Sequence, residues 1–476
     1  CSTYYDTATA SVYPEPGRPH ALPLYARMLD TISTITAGPV TGDFGFTDTQ
    51  LVAVGYPIST DSGRVTMYQV RDGNRDGLAD AFPDELITFG IPIALSFGDT
   101  LFVLADNGLI YAKPGLLDAF RRVDSLPAEQ FHGICRVADK LLVMTGDSLQ
   151  SLLYCIDGDP TDSIELGGYY NFGPIVVDVD RDDVPEVVAF GPDGHAIFVS
   201  IDTTSSPVSM SILRRRETDF HVTTNPVAAD LDRDGYPDIV IGGTNAIYAF
   251  DRTLTLLTDF PMAAGDRFLD DDVIAAPVVA DIDRGGPPEV VFPTLVGNVY
   301  SFGDDLSNGF PLSGGERAAG AAVILSDSSG GKLGYLGSDG WFYLWEVDKD
   351  TSTDYWPMGG HDAAGTFAFD QSRLSEPTPI AELLPDERFY NYPNPVTDGS
   401  TVIRYYLGED AAGVRIKLFD LSGTRVAELH GATAGGLDHE QVWDCSHVTP
   451  GVYRCILEAD FGGRTETAFT DIAVIR

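Results

Sequence analysis

The chain has 476 residues, of which 71 are Asp or Glu and 30 are Lys or Arg, giving a formal net charge of −41. A hydrophobic fraction of 43% supports packed cores and excludes a disordered chain. The charge excludes nucleic acid as a partner and argues against docking on an anionic membrane surface, since both need a basic face. The 50 glycines, 30 prolines and 11% aromatic residues favour turn-rich β structure over long helices. No apolar run approaches the roughly 18 residues of a membrane helix. The length suits about three domains of ~150 residues, or one large β domain and a smaller one.

In chain order, the first residue is Cys1 rather than Met. An acylated cysteine, as at the start of a mature bacterial lipoprotein, is one reading, and it would be the chain's only link to a membrane. A fragment boundary is the other. From Gly38 onward a short apolar run headed by Pro or a small residue recurs seven times: Gly38-Pro39-Val40, Ile91-Pro92-Ile93, Gly133-Ile134, Gly173-Pro174-Ile175, Asn225-Pro226-Val227, Ala276-Pro277-Val278 and Ala321-Ala322-Val323. A β-rich run follows each, such as Glu186-Val187-Val188-Ala189-Phe190. A tight turn comes next, such as Asn107-Gly108, Asp193-Gly194 or Asp339-Gly340, and then a second β run such as Ala246-Ile247-Tyr248-Ala249-Phe250. These dipeptides supply the positive φ angles of two-residue hairpins. Phe82-Pro83, Leu126-Pro127, Phe260-Pro261, Phe310-Pro311 and Trp356-Pro357 mark a fourth, outer strand, where Pro is tolerated because one N–H side is free.

Four short strands per repeat, seven times over, predict an all-β fold with a seven-bladed β-propeller over residues 1–370. Leu22-Pro23-Leu24 adds an eighth outer-strand mark, which leaves the closure open. Residues 3–26 complete the last blade and Trp356-Pro357-Met358 lies elsewhere; or residues 3–26 and 363–370 build an eighth blade; or the spare strand joins a neighbouring molecule. Residues 371–388 hold three prolines and no periodicity and read as a linker. Residues 389–476, with strands expected at 401–407, 414–420, 425–429, 439–444, 451–459 and 464–475, suit an immunoglobulin-like β-sandwich. Of the five cysteines, Cys445 and Cys455 flank a turn and are placed to bridge a hairpin, whereas Cys135 and Cys155 fall on non-adjacent strands, too far apart to pair.

Four segments space oxygen ligands two residues apart. Asp230, Asp232, Asp234 and Asp238 carry carboxylates on one loop, with Gly235 for the sharp turn and the Tyr236 carbonyl as a further ligand. Asp178, Asp180, Asp182 and Glu186 repeat the pattern with the Val184 carbonyl, and Asp183 replaces the glycine. Asp281, Asp283 and Glu289 form a third loop that lacks the third side-chain ligand. The fourth is Asp72, Asn74, Asp76 and Asp80 with the Leu78 carbonyl. The first three fall between the first and second strands of their repeats, the fourth between the third and fourth strands of the first repeat. Alternating oxygens on a tight loop converge on a hard cation, and Ca²⁺ takes six to eight of them at about 2.3–2.6 Å. The expected role is structural, because an ion relieves repulsion among the carboxylates.

At these residues, in the stretch Asp230-Leu231-Asp232-Arg233-Asp234-Gly235, the chain resembles the FG-GAP/VCBS repeat of integrin-alpha-type propellers. The resemblance covers roughly residues 20–360 and implies calcium in the loops and an extracellular setting. Residues 389–476 resemble the C-terminal type IX secretion sorting domain and the related Ig-like domain of the flagellar hook cap. The resemblance rests on Tyr392-Pro393-Asn394-Pro395, Val414 to Asp420 with Gly423, Trp443-Asp444, Gly451-Val452-Tyr453 and Asp471 to Arg476. It implies export to the surface of a Gram-negative-type bacterium.

Catalytic signatures are sparse. There is no G-x-S-x-G, Walker loop, G-x-G-x-x-G or H-E-x-x-H. Gly146-Asp147-Ser148-Leu149 spells an esterase motif but falls in a hairpin turn with no helix after it. His361-Asp362 reads as a turn, and Arg214-Arg215-Arg216 is a basic island with either solvent or an acidic face as its partner. The leading functional expectation is a non-enzymatic surface protein acting in adhesion, ligand binding or extracellular assembly, with a second copy or a cell-surface glycan or protein as partner. The other is an extracellular polysaccharide lyase or hydrolase working in the propeller cleft.

Overall fold

The computed structural model describes residues 37–475 except 43–50, 70–80, 98, 116, 128–129, 157–161, 206–207, 218–219, 245, 258–259, 261, 264–271, 304–306, 308, 314–316, 319, 328–329, 339–341, 350–353, 363, 377–382, 393 and 398. Regular structure among them is β-strand apart from short 3₁₀ turns. No helix among the described residues is long and apolar enough to cross a membrane. Two compact units emerge. The first runs to Leu374, and the second is Ser375–Arg476 together with the short segments Arg233–Gly235 and Phe250–Thr255.

The first unit is a succession of antiparallel sheets, numbered here I to VII. Sheets I to V each take four consecutive strands. Their leading strands are Ala37–Gly42, Pro92–Phe97, Gln130–Val137, Phe172–Val177 and Val227–Ala229. Sheet VI is led by Val278–Ala280 and sheet VII by Val323–Asp327. All seven leading strands fall on or directly after the Pro or small-residue landmarks.

Alternation explains why the second strands are apolar throughout. In sheet II, Leu101 and Val103 pack with Leu51, Val65 and Met67 of sheet I, while Phe102 and Leu104 pack with Ile134, Leu141 and Val143 of sheet III. Successive side chains of a strand point to opposite faces, and both faces are covered. Sheet III repeats this one step on, with Leu142 and Met144 turned to Val187, Ala189 and Ile197 of sheet IV. Burial then falls away outward: Leu101–Ala105 is wholly buried, whereas the fourth strands Arg121–Ser125 and Ser209–Arg216 are mostly exposed. Arg214, Arg215 and Arg216 lie on this last strand, and Arg215 reaches back to the Leu166 carbonyl at 2.6 Å.

Two expectations need correction. Trp356-Pro357 does not mark the outer strand of sheet VII, in line with the closure that sets it elsewhere, while Cys1 and residues 3–26 lie outside the described residues. Asp354–Trp356 pairs instead with the leading strand of sheet VI, Trp356 opposite Val279. Sheet VII has three described strands, ending at Phe342–Val347. Trp356 is 1% exposed, and burying this ring among the leading strands outweighs an edge position that would leave it wet. The second correction concerns Cys445 and Cys455, which form no disulfide. Each is wholly buried in the core of the second unit, and burial pushes the Cys455 thiol up to about 12. Cys135 and Cys155 form no disulfide, as expected: both lie opposite Leu142, on either side of its strand, two strand spacings or about 9–10 Å apart.

After Trp356 the chain forms a strap across the leading strands. The Pro357 carbonyl accepts from Ile324 N–H of sheet VII, that of Ala364 from Phe97 of sheet II, that of Thr366 from Arg136 of sheet III, and that of Phe367 from Val176 of sheet IV. Phe369 N–H returns to the Val176 carbonyl. Within 16 residues the strap therefore touches the leading strands of sheets VI, VII, II, III and IV, in that order.

In the second unit, Tyr390–Tyr392, Ser400–Leu407 and Leu437–Asp444 form one sheet. Gly413–Phe419, Arg425–Gly431, Gly451–Asp460 and Thr465–Val474 form the other. Ile403, Tyr405, Leu407 and Trp443 of the first share one core with Ile416, Leu418, Cys455 and Leu457 of the second. Within the first sheet, Arg404 and Asp438 are diagonal neighbours on adjacent strands and meet at 3.0 Å, 1% and 3% exposed, and Arg388 joins Asp438 from the side.

Candidate metal centres

Three acidic loops occupy the same place in sheets IV, V and VI. Each begins directly after the leading strand and ends on the first residue of the second: Val177 to Glu186, Ala229 to Asp238 and Ala280 to Glu289. Their backbones are alike. The fourth residue is an arginine in the left-handed region in every case, Arg181 at φ 61°, Arg233 at 60° and Arg284 at 61°. The sixth is left-handed as well: Asp183 at 69°, Gly235 at 88° and Gly286 at 77°. Glycine adopts that region freely, so Asp183 holds it at a cost.

The closing carboxylate has one repeated task. Glu186 Oε2 accepts from Val179 N–H at 3.0 Å, Asp238 Oδ2 from Leu231 N–H at 2.8 Å, and Glu289 Oε2 from Ile282 N–H at 2.7 Å. The buried side chains of Val179, Leu231 and Ile282 pin the loop to the sheet beneath. The bond spends one oxygen of each carboxylate on the fold.

Three groups of carboxylates are gathered in this way: Asp178, Asp180 and Glu186; Asp230, Asp232 and Asp234; and Asp281, Asp283 and Glu289. In each, one oxygen per residue lies within 4.8 Å of the others. Two ligands on opposite sides of a Ca²⁺ ion stand about 5 Å apart, twice the metal–oxygen distance, so every trio fits one coordination sphere. Asp182 is outside its trio: its Oδ1 accepts from Val184 N–H at 2.8 Å. Asp72, Asn74, Asp76, Leu78 and Asp80 lie outside the described residues.

The electrostatics follow from gathering like charges away from water. Burial pushes the Glu186 carboxyl up to about 8, and the Asp180, Asp178 and Asp182 carboxylates add to it. Burial raises Glu289 to about 7, with Asp283 and Asp281 contributing. Asp178 is raised by burial too, although the N–H groups of Asp183 and Asp182 oppose the shift. A divalent ion reverses this penalty by supplying the opposite charge.

A cleft of about 670 Å³ lies beside the strap, lined by Asp99, Arg136, Met358, His361, Asp362 and Arg373 among others. His361 stands edge-on to Trp356 at 4.8 Å, and the Asp362 carboxylate closes a turn onto Thr366, at 3.1 Å from its N–H and 2.6 Å from its hydroxyl. Gly146-Asp147-Ser148-Leu149 is a hairpin turn, in which Asp147 Oδ1 accepts from the N–H groups of Leu149 and Gln150. Sequence reasoning missed the arginine at the fourth loop position. Its recurrence was visible at residues 181, 233 and 284, but its left-handed backbone was not.

No protein-family model matches the chain, and no curated protein matches it. Among solved structures the chain is similar to PorZ, described as an essential bacterial surface component of the type-IX secretion system of Porphyromonas gingivalis, at 14% identity and a TM-score of 0.37. The match covers 93% of this chain, which spans about 60% of the PorZ chain. BamB from Moraxella catarrhalis matches at 12% identity and a TM-score of 0.41, over 66% of this chain and 83% of that one. Sqt1 from Chaetomium thermophilum matches at 13% and 0.45, over 67% and 82%. No family follows from matches at these levels.

Proposed function

We propose that the chain is a calcium-stabilised seven-bladed propeller of FG-GAP/VCBS type with a C-terminal Ig-like sandwich, displayed outside a bacterial cell and acting by binding or assembly rather than catalysis. The order of strap contacts, sheets VI, VII, II, III and IV, supports a ring: one short segment reaches so many leading strands in sequence only where they surround a common axis. The three loops, alike in backbone and in their closing hydrogen bond, support calcium as a structural ion held by the three trios and by the Asp72 loop.

The observation that carries the non-catalytic reading is the strap itself. The contacts among its Trp356, His361 and Phe369 rings support a filled rather than an open axial cleft. The exterior setting and a sorting role for residues 389–476 rest on the resemblance of their sequence, and the ligand class, glycan or protein, follows from that setting. The purified chain, incubated with a panel of polysaccharides with and without chelator, is expected to bind or remain inert and to release no products. Calcium-dependent turnover would overturn this reading in favour of a lyase or hydrolase at the cleft beside the strap.

A further inference from the structure

We propose that the cleft beside the strap binds a sugar acid, with the guanidinium groups of Arg136 and Arg373 taking its carboxylate and Asp99 and His361 taking its hydroxyls. The proposal rests on the binding reading above and names a ligand class and a place for it.

Arg136 carries the argument. It lies on the leading strand of sheet III and is 8% exposed, yet no carboxylate pairs with it among the described residues. Its position is fixed without one. Its backbone N–H donates to the Thr366 carbonyl at 2.9 Å, and its guanidinium stands over the Phe102 ring at 5.5 Å. Nη1 donates to the Thr100 carbonyl at 3.3 Å, while Nε and Nη2 have no partner among the described residues. A buried guanidinium without a paired counter-ion is costly, in a chain with 71 acidic residues from which to supply one. Burial lowers its pKa although Asp99, Asp139 and Asp362 oppose the shift. The uncompensated charge calls for an anion from outside the chain.

The other lining residues decide which anion. Two of the acids are already spent. Asp362 accepts from the N–H and hydroxyl of Thr366 at 3.1 and 2.6 Å. Asp370 accepts from the N–H and hydroxyl of Ser372 at 3.1 and 2.6 Å and from Arg373 Nε at 3.2 Å. Arg373 keeps both Nη groups without a partner among the described residues, a second donor pair for a carboxylate. His361 is 9% exposed, and its Nδ1 has no hydrogen bond, since Asp362 Oδ2 at 3.7 Å is out of reach. Its backbone is left-handed at φ 72°, a strain that clusters at ligand sites. An imidazole nitrogen meets a hydroxyl as donor or as acceptor, and the Asp99 carboxylate, which has no hydrogen bond among the described residues, accepts from hydroxyls. The same acids repel a multiply charged anion such as phosphate. A single carboxylate on a hydroxylated ring satisfies all four groups, and about 670 Å³ falls in the size range of small-molecule sites.

A ligand-observed NMR titration of the full chain in saturating calcium tests this, with glucuronate as the probe and its methyl ester and inorganic phosphate as controls. Glucuronate is expected to bind at least tenfold more tightly than either control. Arg373→Ala removes a half-exposed side chain, and Arg136→Lys keeps the charge but loses the planar fork. Each is expected to weaken glucuronate binding about tenfold, the first with an unchanged melting temperature. No glucuronate binding, or equal binding of the ester or of phosphate, would overturn the proposal. So would wild-type affinity in both variants. The polysaccharide assay above is read separately: product release there would overturn the non-catalytic reading and leave this assignment standing.

Discussion

The two units bury charge in opposite ways. The first gathers carboxylates with carboxylates: Glu186 and Glu289 are both 2% exposed, and their nearest charged neighbours in the loop trios are acids. The second buries Asp438 between Arg404 and Arg388, so the chain supplies its own counter-ions. A self-neutralised cluster makes stability a property of sequence alone, whereas a like-charged trio makes it a property of the surroundings.

The strongest way to break the contrast is Asp438→Ala. Removing one partner of a buried ion pair costs about 3–5 kcal/mol, because Arg404 is left with only Asp251, at 4.0 Å, to offset its charge. Urea unfolding of the second unit should show that loss with calcium and with chelator alike. A calcium-dependent loss would mean that the two units do not differ as described.

Glu186→Gln should act with opposite signs in the two conditions. With calcium it removes a charged ligand and weakens binding by about tenfold or more. With chelator at pH 8 it raises the melting temperature, since it removes a buried carboxyl whose ionisation the fold penalises. Destabilisation in both conditions would reduce Glu186 to a packing residue.

The pH dependence sharpens the same point. In the ion-free protein, Glu186 at about 8 and Glu289 at about 7 hold protons that the unfolded chain releases near 4.5. The folded state binds more protons across that window, so its stability falls as pH rises from about 4.5 to 8. Saturating calcium should flatten the slope, and equal slopes with and without the ion would contradict the site. The smallest effect is expected from Ser148→Ala, which leaves the Asp147 turn intact and should change neither stability nor any ligand binding, as thermal melts and binding isotherms would show.

Much of this was legible in the sequence, for local reasons. The leading strands follow Pro or small residues, and the acidic loops span nine residues with fixed spacing, so both appear in a short window. The strap was legible only as one alternative, the closure that sets Trp356-Pro357-Met358 apart from the last blade. Trp356-Pro357 looks like the other Pro-marked strands, and only its pairing with Val279, 77 residues away, shows otherwise. The cysteines misled for a similar reason: Cys445 and Cys455 are close in sequence, yet each fills the shared core without forming a disulfide. Arg404, set in the apolar run Val402-Ile403-Arg404-Tyr405-Tyr406-Leu407, did carry a signal, because a charge on a buried strand requires a partner.

Differential scanning calorimetry of the full chain, with saturating calcium and with chelator, tests the central claim most directly. An ion at a hundredfold excess over its Kd stabilises by about 2.7 kcal/mol per site. Chelation is expected to lower the transition of the first unit by several degrees, whereas a transition that stays where it was with calcium would contradict the calcium reading.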